Sequence, residues 1–403
     1  MTIPAVILMS DVPAAQALVG GLPLVARHIK ELYRRGIRAF SLHGATSLPE
    51  VLQQSRIPHD ALLQVMPRDD RPLPVQLRAQ LGSPGECLVV RGDCLIDPRL
   101  LTELLSRPSP HWLPVPQAPA DTLPAAARLS PTELDLWASA GLEAWLHHSP
   151  VLRTETLEEY SPAQRGLVPF YVLPVTTPSS ADAATHTLIR ASQKRALDLP
   201  ALLLHPIFEN RLVFWLCKTR MTPNQVSLCT GLLGFGIAWL FWHGWLRLGI
   251  SLAFAVAVLD GVDGKLARTK LQTSRLGELE HVLDFFVEHA WYLSITAFLA
   301  TSTHDPSWWW MGGVLMVSDV LDNLLYAAGQ AVFHKQLDEL GTFDRTFRLI
   351  AGRRNIYAWM MFGGFWAGWS HAIFLACMLW AVVTVLVHGL RLGYHLAQRG
   401  AVA

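Results

Sequence analysis

Hydrophobic residues are arranged in two different ways along the 403-residue chain. Up to about Arg220 they come in short runs separated by charges and prolines, and beyond Met221 long uncharged runs dominate. In the first part, residues 4–9 (PAVILM) have the short, continuous apolar character of a buried strand. Residues 24–35 (LVARHIKELYRR) carry apolar positions at helical spacing, end in basic residues and are stopped by Gly36, which predicts a helix. Residues 37–42, 61–66 and 87–90 read as further strands, and another helix begins near Pro98. The proline-rich stretches 68–84 and 108–124 read as loops. Strands alternating with helices predict an α/β fold with a mainly parallel, doubly wound sheet.

The second part holds six hydrophobic segments, at 223–245, 247–264, 284–303, 307–331, 355–370 and 372–393. Several approach the ~20 residues that a helix needs to span a bilayer, which predicts an all-α, six-helix transmembrane domain over 223–403. Thr222-Pro223-Asn224 supplies a helix start, with proline at an early helical position. The second segment is the weakest, because its uninterrupted apolar run covers only 248–259, and the fifth is broken by glycines. The chain thus divides into a soluble domain over 1–190, a juxtamembrane segment over 191–222 and the membrane domain. In and just before that segment, Arg190, Lys194, Arg195, Arg211, Lys218 and Arg220 alternate with apolar runs, as in an interfacial helix; a solvated linker is the plainer alternative.

Basic residues concentrate before the first hydrophobic segment, between the second and third, between the fourth and fifth, and after the sixth. With six spans those four positions share one side, so the positive-inside rule places both termini in the cytoplasm of an integral, bacterial inner-membrane protein. Trp308, Trp309 and Trp310 fit an aromatic belt at the opposite interface.

Composition agrees with a membrane half: 51% of residues are hydrophobic and 16% charged, against roughly 25% charged in soluble domains. A net charge of +1 gives no reason to expect a nucleic-acid partner. The five cysteines are scattered and lack metal-ligand spacing. The first residues have no basic stretch ahead of the apolar run, so they read as a strand and not as a signal peptide.

The candidate chemistry lies where the second hydrophobic segment ends, at residues 260–284 (DGVDGKLARTKLQTSRLGELEHVLD). Carboxylates close to a membrane are expensive unless they bind a metal, a partner or a substrate. Asp260 and Asp263 are three apart on one helical face, and Gly264 lets a bulky ligand approach the backbone. Carboxylates so placed offer the oxygen ligands that Mg²⁺ or Mn²⁺ takes, and a positioned carboxylate can accept a proton.

Asp260, Asp263-Gly264, Ala267-Arg268 and Gly277 resemble the signature D-x-x-D-G-x-x-A-R-x(8)-G-x-x-x-D-x-x-x-D of the CDP-alcohol phosphotransferase family. The resemblance implies two divalent ions, a CDP-linked donor, an alcohol acceptor, membrane lipids as surroundings and a homodimer through membrane helices. It also implies nucleotide binding by Gly264, Ala267, Arg268 and Gly277. The last part departs from the family: His281 and Phe285 stand where aspartates are expected, while Glu280 and Asp284 restore the four-residue spacing one position earlier. By resemblance Asp260, Asp263 and Glu280 bind metal and Asp284 is the general base. His281 is an accessory candidate for binding or proton shuttling, with packing as the equal alternative. Asp319, Asp322 and Asn323 interrupt the fourth hydrophobic segment and serve either function or interhelix hydrogen bonds. Arg345, Arg348, Arg353 and Arg354 form a candidate site for an acceptor's phosphate; ordinary positive-inside charge is the alternative.

In the soluble part, the first strand, GGLPLVARHIKELYRRGI and LVVRGDCLIDPRLL resemble sugar-nucleotidyltransferase-like domains, in which the residue matched by Asp93 helps hold the nucleotide's metal. The fusion resembles inositol-phosphate cytidylyltransferase/di-inositol-phosphate phosphate synthases. The loop SDVPAAQALVGGLP departs from that family, because no Lys or Arg lies between Met1 and Arg27 to meet a triphosphate. The domain therefore reads as a structural or regulatory module, with Asp93 a turn residue. The expected function is phosphotransfer to an alcohol with release of CMP; the alternative is an inactive membrane protein whose soluble domain binds a nucleotide or partner.

Overall fold

The computed structural model describes residues 3–402 except 10, 82–84, 109, 120, 196 and 273–275, with the backbone alone described at 80, 81, 276–281 and 400–402. Six strands build the main sheet of the first part: β1 (Ala5–Leu8), β2 (Ala39–His43), β3 (Leu62–Met66), β4 (Cys87–Arg91), β5 (His111–Leu113) and β6 (Ala126–Leu129). Their order is β3-β2-β1-β4-β6-β5. The first four run parallel, with Ile7 beside Leu42 on one flank and Val90 on the other, and β6 and β5 close the edge antiparallel. The sheet is thus mainly parallel, as the alternation predicts. Helix α1 (Leu24–Arg34) packs Val25, Ile29 and Leu32 into the core beside Ile7, Phe40 and Val90.

Two expected loops contain regular structure. Residues Leu73–Leu81 form a helix within the 68–84 stretch, because Pro74 falls in its first turn, where no N–H is needed. His111–Leu113 is the edge strand β5, and its short length and flanking prolines disguise it.

The second part is helical: α2 (His205–Cys217), α3 (Pro223–Trp242), α4 (Leu246–Thr269), α5 (Leu276–Thr303), α6 (Ser307–Phe333), α7 (Arg354–Trp366) and α8 (Ser370–Val402). The six hydrophobic segments correspond to α3 to α8. Among the described residues four of these helices, α3, α5, α6 and α8, are long and apolar enough to cross a membrane. Helix α7 has 13 residues, and α4 ends in a charged stretch that continues as helix to Thr269, past the apolar run. Thr222 caps α3 through the Gln225 N–H in a reciprocal capping box. Gly231 and Gly234 let α3 meet α5, since an added Cβ would strike Leu283 or Val287. Trp291 Nε1 donates to the Gly234 carbonyl at 2.7 Å in the same contact.

Helix α2 is inside out by soluble-protein standards. It buries His205, Glu209, Val213 and Cys217 against the bundle and exposes Ile207, Phe208 and Trp215. A helix is present in the segment expected to be interfacial, and Ile207, Phe208 and Trp215 point away from the protein beside the exposed Arg211.

The two parts interlock. Gly20 and Gly21, both at positive φ, turn the hairpin Leu18–Val19/Leu22–Pro23, and a Cβ on Gly21 would run into the Cys217 carbonyl of α2. The lysine-free loop after β1 therefore docks on the juxtamembrane helix. Arg27 of α1 donates to the Thr269 carbonyl at 2.6 Å, and Arg268 Nε donates to the Ser192 carbonyl at 2.9 Å. On the far side, Arg165 contacts the fully buried Asp338 carboxylate at 2.5 Å.

Candidate active site

Helix α4 ends beneath the soluble part, and the charges at that end open on a cavity of about 590 Å³. Asp260, Gly264 and Arg268 of α4 line it, with Asp284 and Glu288 of α5 opposite. Helix α6 adds Asp319, Asp322 and Asn323, the approach to α7 adds Arg348 and Arg353, and the start of α7 adds Arg354 and Asn355.

Carboxylates and guanidinium groups alternate around this wall. Arg354 Nη2 donates to Asp260 Oδ2 at 2.5 Å, and its Nη1 lies 3.5 Å from Asp284 Oδ1. One arginine thus bridges the carboxylates of α4 and α5. Arg353 stacks over the Tyr326 ring at 4.3 Å and lies 4.0 Å from Asp322 Oδ2. Asp322 in turn meets His388 Nδ1 of α8 at 2.5 Å. Asn323 donates to Asp319 Oδ2 at 3.2 Å, and Tyr292 donates to Glu288. Asp322 therefore makes an interhelix hydrogen bond, Asp319 is bonded from within its own helix, and both face the cavity.

Burial, and then the neighbouring Arg353, pull the Arg348 guanidinium down to about 10, so it stays charged at neutral pH. Nη1 of Arg348 and Nε of Arg353 are buried without a hydrogen-bond partner. Two crowded cations, each with an unused donor, thus stand on one wall of the cavity.

The structure separates the residues that the signature groups together. Asp260, Gly264, Arg268 and Asp284 face the cavity. Asp263 does not belong to the described wall: it is 2% exposed and accepts from Ser227 Oγ of α3 at 2.8 Å. Ala267 is half-buried and also off the wall. Gly277 is described only as backbone of α5, and the side chains of Glu280 and His281 lie outside the described residues. Of the four candidate arginines, Arg348, Arg353 and Arg354 converge, whereas Arg345 is exposed on the short helix Thr342–Phe347. Among the described residues no three His, Cys, Asp or Glu side chains gather as a metal-ligand set. In the soluble part, Asp93 sits at the turn after β4, held by Arg91 at 2.9 and 2.7 Å.

Glu288, Ser227, His205 and Glu209 were not singled out as site residues. Glu288 shares the helical face of Asp284, which its spacing shows. His205 and Glu209 are four apart in an otherwise apolar segment, a signal that the interfacial reading passes over.

Residues 220–387 match the family model for CDP-alcohol phosphatidyltransferase. The chain is 33% identical over 150 residues to the bifunctional IPC transferase and DIPP synthase of Thermococcus kodakarensis, a match covering 36% of this chain and 33% of that protein. It is 25% identical over 221 residues to the protein of the same name from Aquifex aeolicus, covering 54% of this chain and 49% of that protein. The matches thus span between a third and a half of the length of these curated relatives. Among solved structures, Mycobacterium tuberculosis phosphatidylinositol phosphate synthase with CDP-DAG bound aligns at 15% identity with a TM-score of 0.37, covering 47% of this chain and 93% of that one.

Proposed function

We propose, from the premise that the stretch 220–387 belongs to the CDP-alcohol phosphatidyltransferase family, that this protein is an integral-membrane phosphotransferase. It moves a phospho-substituted group from a CDP-linked donor, CDP-diacylglycerol or a CDP-alcohol, to an alcohol acceptor in phospholipid or inositol-phosphate-type synthesis. The observation that carries the reading is the meeting of Asp260, Asp284 and Arg354 in the cavity that Gly264 and Arg268 line.

Asp284 serves as the general base. As the acceptor's oxygen bonds to phosphorus, its hydroxyl proton passes to the Asp284 carboxylate; the P–O bond to CMP breaks and CMP leaves with the electron pair. Arg268 pairs with the donor's phosphates, and Gly264 leaves room for them. Arg348, Arg353 and Arg354 hold a phosphate on the acceptor, which favours inositol phosphate or glycerol phosphate over an uncharged alcohol. Arg345 is left out of this set by its exposure.

Asp260 and Asp263 on adjacent turns, with Glu280 assigned by resemblance, offer the all-oxygen donors that Mg²⁺ and Mn²⁺ take. The Arg354 guanidinium holds the space between Asp260 and Asp284, so the described geometry supports the donor chemistry and not a finished ligand set. Two such ions, when bound, would neutralise charge on the pyrophosphate.

The domain over 1–190 acts as a structural or regulatory module, with 191–222 at the cytoplasmic membrane surface. The outward face of α2, with Phe208 and Trp215, supports that placement. Leu228, Leu232, Leu386 and Leu390 expose apolar surface that suits lipid and a second copy in a homodimer.

The test is release of CMP by purified protein given Mn²⁺, CDP-diacylglycerol and a panel of alcohols, with loss of release in Asp263→Ala. No release with any alcohol or CDP-linked donor, and no effect of Asp263→Ala on nucleotide binding, would overturn the reading.

A further inference from the structure

The stretch that carries Arg348, Arg353 and Arg354 is held from the first part of the chain. Tyr160–Ser161 and Gly166–Leu167 pair as an antiparallel hairpin, and Arg165 sits in its turn with a φ of 54°. From there its guanidinium reaches Asp338, in the 3-10 turn Leu337–Glu339 that lies between α6 and the helix Thr342–Phe347. Tyr160 Oη donates to Glu339 Oε1 of the same turn at 3.1 Å. Further along, the Leu199 N–H donates to the Leu349 carbonyl at 2.8 Å, and Asn355 Nδ2 donates to Asp198 Oδ2 at 3.0 Å. The three arginines therefore lie in a stretch tied at both ends to residues that precede α3.

Asp338 sets this contact apart from an ordinary surface ion pair, which contributes little. Its side chain is fully buried, whereas that of Arg165 is 22% exposed. A carboxylate so placed is expensive unless a cation meets it. Oδ2 has Arg165 at 2.5 Å, and Oδ1 has no hydrogen-bond partner among the described residues. The carboxylate also lies within electrostatic reach of Arg348 and Arg353. Left uncompensated, it would offset the positive charge that those two arginines present to the cavity, and Arg165 supplies the compensation. Joining the two parts of the chain does not require this pair, because Arg27 and Arg268 already do so at the end of α4.

We infer that Arg165 is a positioning residue for the acceptor. By holding Asp338 it fixes the stretch that presents Arg348 and Arg353, and it leaves their charge to the acceptor's phosphate. The inference rests on the acceptor-phosphate reading of those arginines.

The test is steady-state CMP release by the purified full chain, read as kcat and as separate KM values for donor and acceptor. The assay contains Mn²⁺, CDP-diacylglycerol or a CDP-alcohol as donor, and inositol phosphate or glycerol phosphate as acceptor. Arg165→Ala should raise the acceptor KM about tenfold and leave the donor KM within about twofold. Arg165→Lys, which keeps the charge, should recover part of the loss. Arg165→Ala combined with Asp338→Asn should also recover part of it, because no uncompensated buried charge then remains. A hairpin that only joins the two parts would move both KM values together, or leave the double variant no better than the single one. Either result, or an unchanged acceptor KM in Arg165→Ala, overturns the inference. Arg348→Ala in the same assay tells the failures apart. A raised acceptor KM there leaves the acceptor-phosphate reading standing without Arg165. No rise there, or a wild type that releases no CMP or uses only uncharged alcohols, overturns both.

Discussion

Arg354 donates to Asp260 across 2.5 Å, joining the start of α7 to the signature helix α4. The same guanidinium lies 3.5 Å from Asp284, so it holds two carboxylates that would otherwise repel each other. Arg354→Ala is expected to lower CMP release by about 100-fold, the scale seen when one charge-stabilising donor is removed from an active site. Arg345→Ala, exposed and off the cavity, should stay within about twofold of wild type. Steady-state CMP release for the two variants checks the contrast; equal losses would mean that the loop acts only through its total charge.

Two glycines of α4, Gly261 at a variable position of the signature and Gly264 at a fixed one, should fail in different ways. Gly261→Ala forces a methyl into Glu209, and overpacking of this kind costs ~1–3 kcal/mol, read as a lower Tm. At Gly264 an added Cβ meets only Arg268 Nη1 at 3.3 Å, so the fold should survive while the methyl narrows the cavity. Gly264→Ala should keep the wild-type Tm and raise KM for the CDP-linked donor.

Ser227 supports Asp263 from outside the cavity. If Asp263 is a metal ligand, Ser227→Ala should raise the Mn²⁺ concentration needed for half-maximal activity by ~10-fold or more, as loss of a supporting hydrogen bond does at metal sites. Treatment with a chelator should abolish CMP release and added Mn²⁺ should restore it. An unchanged Mn²⁺ requirement in Ser227→Ala would count against Asp263 as a ligand.

The soluble part carries its own pH signature. Burial holds His28, which donates from Nε2 to the Cys94 carbonyl at 2.8 Å in its neutral form, down to about 4 from its ordinary 6.5. The unfolded chain therefore binds a proton that the folded chain refuses between those values. Stability is full above about 6.5 and falls as pH drops toward about 4. Denaturant unfolding of the sheet, followed through that window, should show a smaller pH dependence in His28→Gln than in wild type.

Much of this was legible before the structure. The first strand, the helix at Leu24–Arg34 and the six apolar segments follow from residue spacing, because burial on one face leaves a periodic trace. The signature through Arg268 was equally legible, since its residues sit within three turns of one helix. What the spacing did not carry was pairing between helices. Arg354 finds Asp260 from 94 residues away, and Asp263 turns to Ser227 and not to the cavity. The segment of α2 reads as interfacial from its basic and apolar residues, but that it buries His205 and Glu209 depends on the buried Lys265, a neighbour that no local pattern reports.

Arg27 has a consequence for how the chain can be divided. A helix leaves its last carbonyls without partners in the helix; in α4 those of Leu266, Ala267 and Arg268 meet the N–H groups of Lys270, Gln272 and Leu271, and that of Thr269 is served from elsewhere. Arg27, 242 positions upstream, reaches the Thr269 carbonyl, and Arg34 reaches that of Leu271 at 3.4 Å. The first part of the chain thus completes the hydrogen bonding at the C-terminal end of α4. A chain cut between the two parts would leave the Thr269 carbonyl without the guanidinium that serves it, so the end of α4 depends on both.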